Sequence, residues 1–114
     1  MAQWSARMRT KYFPNPVPTA FYRGNATPDH EVGPLENYYA WEWGDALFVV
    51  LDPFAYTTRK PTRYADADMW NWTLGADQYH WLEQTLASSR ARYKFVFSHH
   101  MVGGNSAEAR GGAA

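Results

Sequence analysis

The stretch LGADQYHWLEQTLASSRARYKFVFSHH, residues 74–100, decides the fold. Leu74, Gln78, Trp81, Leu82, Thr85 and Leu86 recur at steps of three and four, which puts them on one face of a helix. The spacing predicts a helix over Leu74–Ser89. Asp77 lies in its first turn, where negative charge suits the helix dipole, and Arg90 and Arg92 follow its last turn, where positive charge suits it. Tyr93–Ser98, YKFVFS, then has the aromatic and β-branched content of a short strand. Two histidines follow that strand directly.

Upstream, NYYAWEWGDALFVVLD, residues 37–52, carries the other half of the pattern. Tyr39, Trp41 and Trp43 alternate with Tyr38, Ala40 and Glu42, the period of a strand. Gly44-Asp45 is a two-residue turn signal, so a β-hairpin is expected over Asn37–Trp43 and Ala46–Leu51. The second strand is apolar on both faces, which assigns it to the sheet interior. Strand, helix and strand in that order predict a crossover with parallel pairing. The fold class is therefore α/β, a partial sheet made of a hairpin plus a strand–helix–strand unit.

The remaining chain is less patterned. Residues 1–36 read as irregular: Phe13–Pro34 holds most of the prolines, each of which removes a donor and restricts its predecessor. Residues 54–72 show no clear period and read as a loop. The tail, residues 105–114, has too little apolar content to pack and is expected to be disordered. Residues 37–104 thus form the organised part of a single, incomplete domain.

Composition narrows the function. With 114 residues the chain can form one small domain. Lys plus Arg and Asp plus Glu both number 11, a balance that argues against a nucleic-acid binder or a polybasic membrane anchor. No apolar run approaches a bilayer span. The absence of cysteine excludes disulfides and thiolate metal sites. Aromatic residues reach 18%, which suits either a carbohydrate-stacking surface or side chains spread over a sheet; sheet cover is the favoured reading.

Chemistry concentrates at FVFSHH. Ligands of open α/β sheets bind beyond the carboxyl ends of strands, and neutral imidazole is a common metal ligand. On spacing alone, a His-His pair at a strand end is more often structural or solvent-exposed. Other candidates are bland: Asp29-His30-Glu31 reads as a solvated turn, and Trp70 and Trp72 as loop or core anchors rather than a stacking platform.

The helix and strand, with Leu74, Gly75, Gln78, Trp81, Leu82, Glu83, Leu86 and then His99, resemble the calcineurin-like metallophosphoesterases, which include purple acid phosphatases. The hairpin ending in Leu51-Asp52 resembles the same family, so the likeness covers about Asn37–Gly104. It implies an internal piece of a larger β-sandwich flanked by helices. It also implies a parent enzyme that hydrolyses a phosphate-ester substrate with two metal ions, Fe, Zn or Mn. The family's ligands come from five blocks: Asp-x-His, Gly-Asp, Gly-Asn-His, a strand-end His and Gly-His-x-His. Only the fourth is present, which makes His99 the implied metal ligand and His100 a second-shell or substrate-side group. Gly44-Asp45 copies the second block in letters but reads better as the hairpin turn, and Gly24-Asn25 lacks the following histidine of the third. One histidine cannot hold an ion that needs about three protein ligands, so this segment is expected to bind no metal stably and to be inactive. The alternative is a non-catalytic module with an aromatic surface that recognises a carbohydrate or a protein.

Overall fold

Alternation in the aromatic segment and the three-four spacing further on both give the elements they predict. The structure is a computed structural model that describes residues 3–57 and 72–99. In chain order its elements are α1 (Gln3–Tyr12), β1 (Arg23–Gly24), β2 (Pro28–Asp29), β3 (Gly33–Pro34), β4 (Tyr39–Trp43), β5 (Ala46–Val50), β6 (Tyr56–Thr57), β7 (Trp72–Thr73), α2 (Gly75–Ser88) and β8 (Tyr93–Phe97). The main sheet has the order β1-β4-β5-β8. β4 and β5 pair antiparallel, while β5 and β8, linked through α2, pair parallel. β5 therefore occupies the sheet interior, as its apolar faces require.

Trp43 pairs with Ala46, which leaves Gly44-Asp45 as a two-residue turn. Gly44 has φ +57°, and Glu36 is the one non-glycine residue with positive φ among those described. That combination fits a type II′ turn, whose first central position favours glycine.

The core is small. Leu47 and Val49 point to one face of β5 and Ala40 stands opposite Val49; all three are fully buried. α2 lays Trp81, Leu82 and Leu86 on them, with Leu51 and Ala91 at the margin. Full burial of Leu74, Trp81, Leu82 and Leu86 is not what the structure shows, because all four keep partial exposure. The reason is dimensional. A helix is about 10 Å across and strands lie about 4.8 Å apart, so one helix covers two strands. α2 covers β4 and β5, and Val96 of β8, on the same face, stays 47% exposed.

The most buried position of α2 is polar. Gln78 is 1% exposed. Its amide nitrogen, Nε2, donates to the Asp52 carbonyl at 2.8 Å, and its Oε1 accepts from the Asp52 N–H at 2.9 Å. The side-chain amide thus satisfies both backbone groups of the residue at which the chain leaves β5. At the other end of the helix, the Ser89 hydroxyl donates to the Glu42 carboxylate at 2.6 Å and accepts from the Ala91 N–H.

Within the segment expected to be irregular, residues 3–12 are helical. No proline precedes Pro14, and α1 has Ala, Arg, Met and Lys among its residues, all good helix formers; its apolar periodicity is weak, which hid it. Ala6 is buried, and the Arg9 guanidinium donates to the carbonyls of Leu35 and Glu36. The short pair β2 and β3 punctuates the proline-rich stretch. β6 and β7 pair Tyr56 with Thr73 and bring the two ends of the next connection together. The expected tail, residues 105–114, lies outside the described residues, as do His100 and residues 58–71.

Replacing Gln78 with Ala should destabilise the chain by roughly 1–3 kcal/mol for each Asp52 backbone group left buried and unpaired. Chemical denaturation of the variant against the parent chain measures this. A loss below that range would mean that water or a neighbour replaces the amide.

Candidate functional site at the carboxyl edge of the sheet

Because β5 and β8 run parallel, their carboxyl ends meet at one edge. Val50 pairs with Phe97, and the Leu51 N–H donates to the Phe97 carbonyl at 2.9 Å. Two residues beyond that last pair stand Asp52 on one strand and His99 on the other. His99 is exposed and follows β8 by way of Ser98. The strand itself ends at Phe97, one residue before the expected boundary.

Asp52 is held rather than free. One carboxylate oxygen accepts from the Asn37 side-chain amide at 3.1 Å and the other from the Phe54 N–H at 3.0 Å. Asn37 in turn accepts from Asn25 at 2.8 Å. Asn37 precedes β4, which is antiparallel to β5, so this network lies at the same edge as His99. An open groove of about 470 Å³ adjoins it, bordered by Asn25, Asn37, Tyr38, Leu74, Asp77 and Gln78. Its lining carries two formal charges, Asp29 and Asp77, both negative. A phosphate ester would meet like charge there, so the groove by itself does not suit an anionic substrate.

Among the described residues, no three His, Asp or Glu side chains are grouped so as to hold a metal ion. The Asp52 carboxylate, at the same edge as His99, already accepts two hydrogen bonds. The described residues alone do not supply the ligands of a dinuclear centre. Asp29-His30-Glu31 is the solvated turn expected: the Asp29 carboxylate accepts from the backbone of Glu31 and Val32, which lowers its pKa, and His30 is exposed. Gly24-Asn25 closes β1, and the Asn25 N–H donates to the Tyr38 carbonyl. His80 is on the outer face of α2, beside Glu83 at 3.8 Å.

Sequence reasoning placed His99 at this edge and missed the Asn25–Asn37–Asp52 network at the same edge. A cue was present, since an antiparallel hairpin puts the start of its first strand beside the end of its second. The Asn25–Asn37 contact spans an irregular segment and had no periodic signal.

On the face opposite α2, aromatic side chains form a row. Trp41 and Phe48 stack at 5.1 Å and 13°, and Phe48 and Phe95 at 5.5 Å and 21°, with Tyr22 against the Trp41 end. The rings spend their faces on one another. Sugar recognition needs open ring faces, so this row suits apolar cover better than carbohydrate stacking.

Comparisons of the chain with protein-family models, with curated proteins and with solved structures return no match. Among the described residues, no helix is long and apolar enough to cross a membrane.

Tyr38 offers a test of the groove. Burial raises its phenol pKa above the ordinary 10.0, and the Asp77 carboxylate adds to the rise. The unfolded chain therefore loses this proton first. Stability from this group is complete below pH 10.0 and is lost as pH climbs through the folded value. In an ultraviolet titration of phenolate formation, Tyr38→Phe should remove a late-titrating component, and Asp77→Asn should bring that component earlier. Loss of an early component in Tyr38→Phe would contradict the burial described.

Proposed function

We propose that this chain is the strand-end histidine segment of a metal-dependent phosphoesterase of the calcineurin-like class. The observation that carries the reading is the position of His99: exposed, at the carboxyl edge, after a hairpin, a helix and a parallel strand in that order. In the parent enzyme His99 would serve one ion of a dinuclear centre, with His100 on its second shell or substrate side. Iron, zinc or manganese would neutralise the substrate's phosphate, a charge that the acidic groove cannot meet. The hydrolysed bond would be a phosphate ester.

The reading requires partners for His99 elsewhere in the parent. Sequencing the flanking DNA of the source gene should reveal an Asp-x-His and a Gly-Asn-His upstream and a Gly-His-x-His downstream, all in frame. Flanking sequence without these blocks would overturn it.

A second reading, a non-catalytic module for a protein partner, is favoured by one observation. Tyr93, Phe95 and Phe97 stay about half exposed on the aromatic face.

The 114-residue chain should show no metal-dependent turnover of p-nitrophenyl phosphate above background with zinc, manganese or iron supplied. Turnover that survives repurification and disappears in His99→Ala would mean that the chain completes a metal site after all.

A further inference from the structure

Glu36 has φ +50°, and no other described residue apart from glycine has a positive φ. Left-handed backbone presses the β-carbon against the following carbonyl, so an ordinary side chain stays there only where its surroundings hold it. Four hydrogen bonds from α1 and the turn behind it converge on this point. The Arg9 guanidinium donates to the carbonyls of Leu35 and Glu36, the second at 2.6 Å. The Asn15 side-chain amide donates to the same Glu36 carbonyl at 3.2 Å, and the Asn15 N–H donates to the Glu36 carboxylate at 2.9 Å.

Asn37 comes next in the chain, and both halves of its side-chain amide serve the polar edge. Its Nδ2 donates to Asp52 Oδ2 at 3.1 Å, and its Oδ1 accepts from the Asn25 amide at 2.8 Å. The dihedral angles of Glu36 orient the peptide that leads into Asn37, because a chain has only two soft rotations per residue. With Glu36 in the extended or right-handed region, the Asn37 side chain would start from a different direction and its amide would leave the carboxylate.

We propose that α1 is a strap that positions the Asp52 carboxylate from outside the sheet. Arg9 holds Glu36 in its left-handed conformation, and Glu36 in turn aims Asn37 at Asp52. Arg9 and Glu36 are thus positioning residues for the edge on which His99 stands, although neither touches Asp52 itself. Whatever releases α1 also releases one oxygen of that carboxylate. This inference holds whether or not His99 serves a metal.

Nuclear magnetic resonance of the side-chain amides tests it. In the unaltered chain the hydrogen-bonded Nδ2 proton of Asn37 should resonate away from the position of a solvated amide. Arg9→Met keeps an apolar stem and removes the guanidinium. It should return that resonance toward the solvated position, while the Tyr93 N–H, bonded to the Asp45 carbonyl, keeps its protection from exchange. Glu36→Gly should leave the resonance displaced, because glycine adopts positive φ without steric cost. Glu36→Val should lose the displacement, because a β-branched residue at positive φ is an outlier. An Asn37 resonance unmoved in Arg9→Met would overturn the proposal. Equal loss in Glu36→Gly and Glu36→Val would assign the role to the Glu36 carboxylate instead of its backbone, and loss in neither would leave β4 alone to place Asn37; both outcomes overturn it. If Arg9→Met fails to fold, seen as lost Tyr93 protection, the glycine and valine variants decide alone.

Discussion

The amide of Gln78 does for Asp52 what a neighbouring strand would do: it gives the residue's N–H an acceptor and its carbonyl a donor. β5 has just ended there, and the chain turns away beneath the helix with its backbone buried. Without a partner for those two groups the turn would cost the desolvation of both. The same pair of bonds fixes where α2 sits along the sheet, and hence which side chains meet Leu47 and Val49. It fixes the Asp52 carboxylate as well, which then orders Asn37 and, through it, Asn25. One glutamine therefore joins the helix position, the exit of the central strand and the polar edge of the sheet.

Helix α2, the hairpin and β8 were legible because each has a period that burial enforces. Trp81, Leu82 and Leu86 had to share a face, and Trp41 and Phe48 had to share another. The parallel pairing of β5 with β8 followed from order alone. α1 was not legible: its residues are mostly polar, and Arg9 anchors it through carbonyls of Leu35 and Glu36 that no sequence pattern announces. Gln78 was placed on the buried face by spacing, but its hydrogen-bonding role was invisible, since that depends on Asp52 arriving from 26 residues away. At the site, the position of His99 was readable from the strand it follows. The polar network at the same edge was not, because Asn37 comes from the far end of an antiparallel strand.

The two faces of the sheet are stabilised by different means. Under α2 the buried floor is aliphatic, Leu47, Val49 and Ala40, and Trp81, Leu82 and Leu86 of the helix pack onto it. On the other face, ring-on-ring contact carries the order, from Tyr22 through Trp41 and Phe48 to Phe95. Aromatic stacking of this sort holds a row in register without shielding its outer edge from water. The result is a sheet covered by a helix over β4 and β5 on one side and only lined by rings on the other.

The pairing of β6 with β7 has a consequence for how the chain tolerates change. Tyr56 and Thr73 are held opposite each other, and Gly75, with φ +74°, comes so close to Tyr56 that a β-carbon there would sit 2.8 Å from the tyrosine's own. The ends of the connection are thus fastened by short-range contacts of their own. For a connection closed in this way, each doubling of length adds only about 0.6 kcal/mol of closure entropy. Added length between Thr57 and Trp72 would therefore cost little in closure entropy. At Gly75 the opposite holds, and even a methyl group is too much.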